Sequence, residues 1–163
     1  AQVAEPGPEA KPGLVWEMPK RWADAGPRSM RVATYSIPVA GGDGEGGECA
    51  VFYFGPSQGG GIDDNISRWV GQFENASSPM RVTKDVNGLK VHRVEVKGDY
   101  LAPSGPMMQS SGTRKGYKLI GAIVEGPNGG VFFKMTGPPN AVEAEKAAYT
   151  AMVRGVGLGE RTP

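Results

Sequence analysis

One thiol and one imidazole limit the chemistry open to this chain: Cys49 and His92 are its lone cysteine and histidine. A Cys–His pair would need a nucleophile inside Cys49-Ala50-Val51-Phe52-Tyr53-Phe54, an apolar, aromatic-rich run that reads as a strand. A small buried thiol is the expectation there. A Ser-His-Asp triad would have to use His92, and no G-x-S-x-G elbow presents a serine. A single cysteine forbids an internal disulfide or a multi-cysteine metal site, and histidine zinc sites lack ligands. Paired carboxylates for sugar hydrolysis need no fixed spacing, and nothing singles out a pair. No catalytic, cofactor-binding or metal-ligating residue is therefore expected, and the chain reads as a non-enzyme.

Two glycine-rich stretches invite a ligand-loop reading. Gly41–Gly47 carries Asp43 and Glu45, with Glu48 just beyond, but the D-x-[DN]-x-[DN]-G order and a closing Glu are missing. It reads as a solvated hairpin loop. Between Gly55 and Gly61 the phosphate-loop pattern fails: Gly61 stands where the Lys would be and Ile62 where Ser/Thr would be. Asp63 and Asp64 would also set negative charge where phosphates sit. The glycines serve a tight turn that lets a helix pack close to a strand.

That helix follows directly. Ile62, Ile66, Trp69, Val70 and Phe73 fall at i, i+4, i+7, i+8 and i+11, one continuous apolar stripe at 3.6 residues per turn. Asp63 and Asp64 at its start are expected to cap free amides and oppose the dipole. Its polar side carries Asn65, Arg68 and Gln72, with Asp64 four before Arg68. They make either a solvated face with an i,i+4 ion pair or a polar contact surface beside Trp69.

The remaining elements come in order. Ala1–Gly13, with three prolines, two glycines and no apolar period, reads as an extended arm. Such arms lose little freedom on docking, which suits them to partner contact. Leu14–Trp22 is an irregular packed entry in which Trp16 and Trp22 either anchor an edge of the core or form an aromatic contact surface. Met30–Ile37 reads as the first strand and Cys49–Phe54 as the second. Arg81–Val86 and Leu89–Lys97 flank Asn87-Gly88, the strongest short hairpin signal, because a type I′ turn needs φ > 0 at both positions. Leu89 and Val91 share one parity and Val94 and Val96 the other. Either a bulge lies near His92-Arg93 or the strand is buried on different faces along its length.

Tyr100–Gly116 reads as a long loop containing Met107 and Met108, of the kind that is often functional. Tyr117–Val124 and Val131–Thr136 form another antiparallel pair around Gly126–Gly130. Asn140 can cap a helix from Ala141 to about Arg154, with Val142, Tyr149, Met152 and Val153 inward. The order β-β-α-β-β-β-β-α predicts an α+β antiparallel sheet flanked by helices. The domain plan is an arm at 1–13, one domain at 14–155 and a tail at 156–163.

Composition narrows the partners. Of 163 residues, 18 are basic and 17 acidic, a formal charge of +1 that argues against a nucleic-acid or membrane-surface binder. No run reaches the length of a membrane span. A start at Ala1-Gln2-Val3-Ala4, without Met, matches what a signal peptidase leaves, and export is the expectation.

Pro19-Lys20-Arg21-Trp22 at the entry and Phe132–Pro138 before the last helix resemble the PsbP-like group, while Met-Arg-x-Ala-x-Tyr at 30–35, Asn-x-x-Arg-Trp-x-x-Gln-Phe at 65–73 and Phe132–Pro138 also resemble uncharacterised exported bacterial proteins. The PsbP-like group includes extrinsic photosystem subunits and bacterial lipoprotein relatives. The resemblance implies an α-β-α sandwich and a non-catalytic accessory role, without cofactor. The expected function is an exported, periplasmic interaction subunit that binds another envelope or membrane-complex protein, partly through residues 1–13. The alternative is a small-ligand-binding domain with a pocket between Trp16/Trp22 and the Tyr100–Gly116 loop. Trp16, Trp22, Asn65, Arg68, Gln72, Met107 and Met108 are the candidate partner contacts.

Overall fold

The computed structural model describes residues 13–24, 31–37, 46–53, 61–101 and 113–159. In chain order the elements are β1 (Leu14–Val15), β2 (Ala23–Asp24), β3 (Arg31–Ile37), β4 (Gly47–Tyr53), α1 (Ile62–Gly71) and β5 (Phe73–Glu74). Then come β6 (Met80–Val86), β7 (Leu89–Leu101), β8 (Thr113–Gly126), β9 (Gly129–Gly137), α2 (Pro139–Arg154) and β10 (Gly157–Leu158). The expected eight-element order is present as β3-β4-α1-β6-β7-β8-β9-α2, with four two-residue strands added.

One antiparallel sheet runs β2-β3-β4-β9-β8-β7-β5, and β6 also pairs with β7. β7 is long enough to carry β6 along Leu89–Glu95 and β5 at Asp99–Tyr100. β1 and β10 form a separate ribbon. Each helix covers one sheet face. Ile66, Trp69 and Phe73 pack with Val94, Val96, Leu119, Ile123 and Phe132 on one side. Val142, Tyr149, Met152 and Val153 pack with Tyr35, Val51, Ile120, Val124, Phe133 and Met135 on the other. This is the α+β, α-β-α sandwich expected. Strands buried on both faces lose their polar alternation, which is why β8 and β9 read as nearly unbroken apolar runs.

The His92-Arg93 question resolves in favour of a change of face. Pairing of β6 with β7, and of β7 with β8, is unbroken from Lys90 to Glu95. Leu89 and Val91 join the α2-side core and Val94 and Val96 the α1-side core. The irregularity lies further on, where Asp99 falls between the Gly98–Tyr117 and Tyr100–Arg114 pairs. Gly116 (φ +70°) relieves it, and its N–H donates to Asp99 Oδ1 at 3.2 Å. The two strands continue past this bulge. Tyr100, Leu101 and Thr113–Gly116 are therefore strand residues, a correction to the long loop expected there. Its remainder, 102–112, lies outside the described residues.

The Asn87-Gly88 turn has φ of 51° and 81°, the left-handed pair that a type I′ turn demands. A Cβ at Gly88 would meet nothing within 4 Å. Gly88→Val should therefore cost about 1–2 kcal/mol through backbone strain alone, read as a lower urea midpoint with an unchanged slope.

Both helix starts differ from expectation. Gly61 is the N-cap of α1 and makes no side-chain cap bond; Asp63 and Asp64 lie in the first turn. Already inside the helix, they favour its dipole without capping it. α2 begins two residues early, at Pro139, with Pro138 as its cap. Proline suits the first position because its missing N–H has no intrahelical role there. Asn140 is thus inside the helix. After α2, Val156 is fully buried and Gly157–Leu158 pairs with β1, so the stretch read as a tail begins within the packed fold.

Candidate docking surface

Trp16 and Trp22 are 6% and 3% exposed, so their rings are committed to the interior. The Trp16 indole N–H donates to Tyr35 Oη at 2.9 Å, and its ring meets Phe133 edge-on at 5.1 Å. The Trp22 indole N–H donates to Glu145 Oε1 at 3.1 Å. Glu145 is itself 1% exposed, and its other oxygen meets Arg21 Nη2 at 2.9 Å. The two tryptophans thus act as anchors that hold Glu17–Lys20 against α2.

Asn65 and Arg68 on α1 and Gln72 at its C-cap are bound within the fold. Asn65 is buried, its Nδ2 donating to Gly61 O at 2.8 Å, and Arg68 donates to Asn65 Oδ1. Arg68 bonds Asn65 where the spacing suggested Asp64. Gln72 accepts from Lys134 Nζ at 2.7 Å. Arg68 is the exposed member of the three. Met107 and Met108 lie outside the described residues.

Among the described residues, the outer side of α2 is left open. A shallow depression of about 810 Å³ runs along Glu143, Lys146, Ala147, Thr150 and Arg154. A second, of about 530 Å³, lies between Val15–Lys20 and the Ala148, Ala151 and Met152 side of the helix. Both depressions combine apolar and charged lining residues and adjoin at Ala151 and Gly155. The entry segment faces α2; the pocket expected between Trp16/Trp22 and the Tyr100–Gly116 loop involves residues 102–112, which lie outside the described residues.

At the first depression lies an ionic network that sequence reasoning missed. Arg93 and Glu95 of β7 and Lys118 of β8 meet Glu143, Lys146 and Thr150 of α2. Arg93 donates to Thr150 Oγ1 at 2.8 Å and sits 5.7 Å from the centre of the Tyr149 ring. Glu95 meets Lys146 at 3.3 Å and Lys118 at 3.4 Å, and Lys118 also bonds Glu143. Burial pushes the Glu95 carboxyl up, but Lys146, Lys118 and Arg93 outweigh it and hold the group below its usual value. Burial likewise opposes the charge on Lys118, and Glu143 and Glu95 overcome it and raise its pKa. The bond from Lys118 holds Glu143 low.

A depressed carboxylate stabilises the fold above its unfolded pKa, and that contribution is lost as pH falls through the folded one. Glu95→Gln should therefore cost about 1.5–3 kcal/mol at neutral pH, by loss of bonds to a charged group. In urea melts the gap from wild type should close as pH falls through the acid range below Glu95's ordinary value.

Cys49 and His92 are on different faces of the sheet. Cys49 is fully buried in the α2-side core, and burial pushes its thiol far up, so it stays protonated and inert. His92 Nε2 lies 2.6 Å from Glu125 Oε2 and its Nδ1 3.2 Å from Thr83 Oγ1, at the other surface. No group of three or more metal-ligating side chains converges among the described residues.

No protein-family model matches the chain, and no curated protein matches it in sequence. Fourteen chains of solved structures match in fold, among them the two that follow. The solution structure of cyanobacterial PsbP (CyanoP) from Synechocystis sp. PCC 6803 has a TM-score of 0.55 at 8% identity, over 96% of this chain and 99% of that one. The crystal structure of PA94, a protein of unknown function from Pseudomonas aeruginosa, has a TM-score of 0.52 at 15% identity, over 80% of this chain and 83% of that one. The fold is PsbP-like. At such identities the likeness concerns the backbone, and a role has to be argued from the surface.

Proposed function

We propose that this protein is an exported, non-catalytic accessory subunit that docks on another envelope or membrane-complex protein, partly through residues 1–13. The observation that carries the reading is the near full-length likeness to a PsbP, an accessory type of fold. The open depressions along α2 support it, because a shallow surface that combines apolar and charged residues suits a protein partner. Among the described residues no helix is long and apolar enough to cross a membrane.

The test is a tagged copy purified from source membranes in mild detergent. Wild type is expected to migrate with a larger assembly, and Ala151→Arg, where the depressions adjoin, to fall away from it with an unchanged melting temperature. Deleting residues 1–12 should do the same; Gly13 is kept because its carbonyl accepts from Gly159 N at 3.1 Å. Migration of the wild type alone, or its recovery from the cytoplasm, would overturn the reading. A small-ligand role is the second reading, favoured by the 530 Å³ groove, which falls within the size range of ligand pockets. Thermal stabilisation by a small molecule, abolished by a substitution at Ala148, would favour it.

A further inference from the structure

Among the described residues β6 is a free sheet edge. It pairs with β7 alone, and no other strand among the described residues lies against its outer side. Its seven residues keep regular register with β7, without bulge or proline. The strand at the opposite end of the sheet, β2, has two residues, the short form that blunts an edge. β6 is seven residues long and exposed from Met80 through Asp85. Met80 and Val82 are 66% and 44% exposed, two of the three exposed large apolar side chains among the described residues. Lys84 and Asp85 form no ion pair among the described residues. An edge like this exposes unpaired backbone groups and apolar side chains together, which is what strand addition requires.

We infer that β6 pairs antiparallel with β6 of a second copy of this chain, about a two-fold axis through Thr83. The sequence Met80-Arg81-Val82-Thr83-Lys84-Asp85-Val86 is complementary to its own reverse in that register. Arg81 falls opposite the partner's Asp85, and Asp85 opposite the partner's Arg81. Thr83 meets the partner's Thr83, a favourable cross-strand pair, and Met80 meets the partner's Val86. Two ion pairs and two apolar contacts thus follow from seven residues.

Other registers lose this match. A one-residue slip sets Arg81 opposite the partner's Lys84. A two-residue slip sets Lys84 against the partner's Lys84, or in the other direction leaves Arg81 facing Thr83. The faces also agree. Directly opposed residues share a side of the sheet, so Met80 and Val82, beside Glu95 and Arg93 on the α2 side, meet Val86 and Lys84 of the same side. Arg81, Thr83 and Asp85 lie on the α1 side, where Arg81 already pairs with Asp63. The product is one continuous sheet across both copies, closed by an isologous contact. This inference stands apart from the accessory role and survives its failure.

The test is sedimentation of the whole chain over a range of concentrations, with Asp85→Arg and Arg81→Asp variants. Wild type should show a concentration-dependent monomer–dimer equilibrium. Each variant alone sets two like-charge pairs across the axis and should dimerise at least about tenfold more weakly. An equimolar mixture of the two variants restores both ion pairs, and should form a heterodimer that neither variant forms with itself. The double variant Arg81→Asp/Asp85→Arg should recover the wild-type homodimer. Melting curves check that each variant is folded, and both positions are exposed. A wild type that stays monomeric at roughly 1 mM overturns the inference, and leaves the edge to a strand of another protein. Variants that dimerise like wild type, or a mixture that stays monomeric, overturn it as well.

Discussion

Trp69→Ala is expected to cost about 3–5 kcal/mol, the largest loss from any single side chain on α1. The indole is 5% exposed and packs edge-on to Phe132, with ring centres 6.3 Å apart. Directly beneath the ring lies Gly121, which has no side chain. A Cβ at Gly121 would lie 2.3 and 2.6 Å from ring carbons of Trp69, so the indole occupies the space that a larger residue would need. Gly121→Ala should therefore cost about 1–3 kcal/mol by overpacking. In the Trp69→Ala background that cost should largely vanish, because the added methyl then partly fills the cavity. Denaturant melts of the two single variants and the double variant would show non-additivity of about 1 kcal/mol or more. Additive losses would mean that the ring does not rest on Gly121.

Trp22→Ala should be comparably damaging, at about 3–5 kcal/mol, for a different reason. Its ring is 3% exposed and lies 6.2 Å from that of Tyr35. Its N–H is one of two donors to the buried Glu145 carboxylate; the other, Arg21, has a side chain 70% exposed. Removing the indole leaves a cavity and a carboxylate held by one solvent-accessible cation. Trp22→Phe separates the two effects. It keeps most of the apolar ring and loses the donor, and should cost about 1–3 kcal/mol. Glu145→Leu in the Trp22→Phe background should recover part of that loss, since a buried carboxylate without its partner is replaced by an apolar group. Thermal melts of the series decide it, and equal losses for Trp22→Phe and Trp22→Ala would place the cost in the hydrogen bond alone.

Buried polar groups outside the ionic network did leave a trace in the sequence. Glu145 falls on the stripe formed by Val142, Tyr149 and Met152, so helical spacing places a carboxylate among inward positions. Asn65 likewise adjoins Ile66 on the buried side of α1. A polar residue on an apolar stripe requires a partner, and that signal was available. Which partner answers it was not. Trp22 and Glu145 are separated by 123 residues, and no local pattern links them.

By itself the sequence determined what depends on near neighbours. The Asn87-Gly88 turn, the Ile62–Phe73 stripe and the inward face of α2 follow from φ preference and 3.6-residue spacing, which act within a few residues. The same locality explains why a lone buried cysteine and a lone histidine argued against most nucleophilic sites. The tertiary structure alone decided which strand lies at an edge and where β7 turns its apolar residues from one helix to the other. It also decided that Trp16 and Trp22 are anchors, and that Arg93, Glu95, Lys118, Glu143 and Lys146 converge. Edge position and convergence are set by pairing and packing between distant segments, whose energies depend on what each surface meets after the chain has folded.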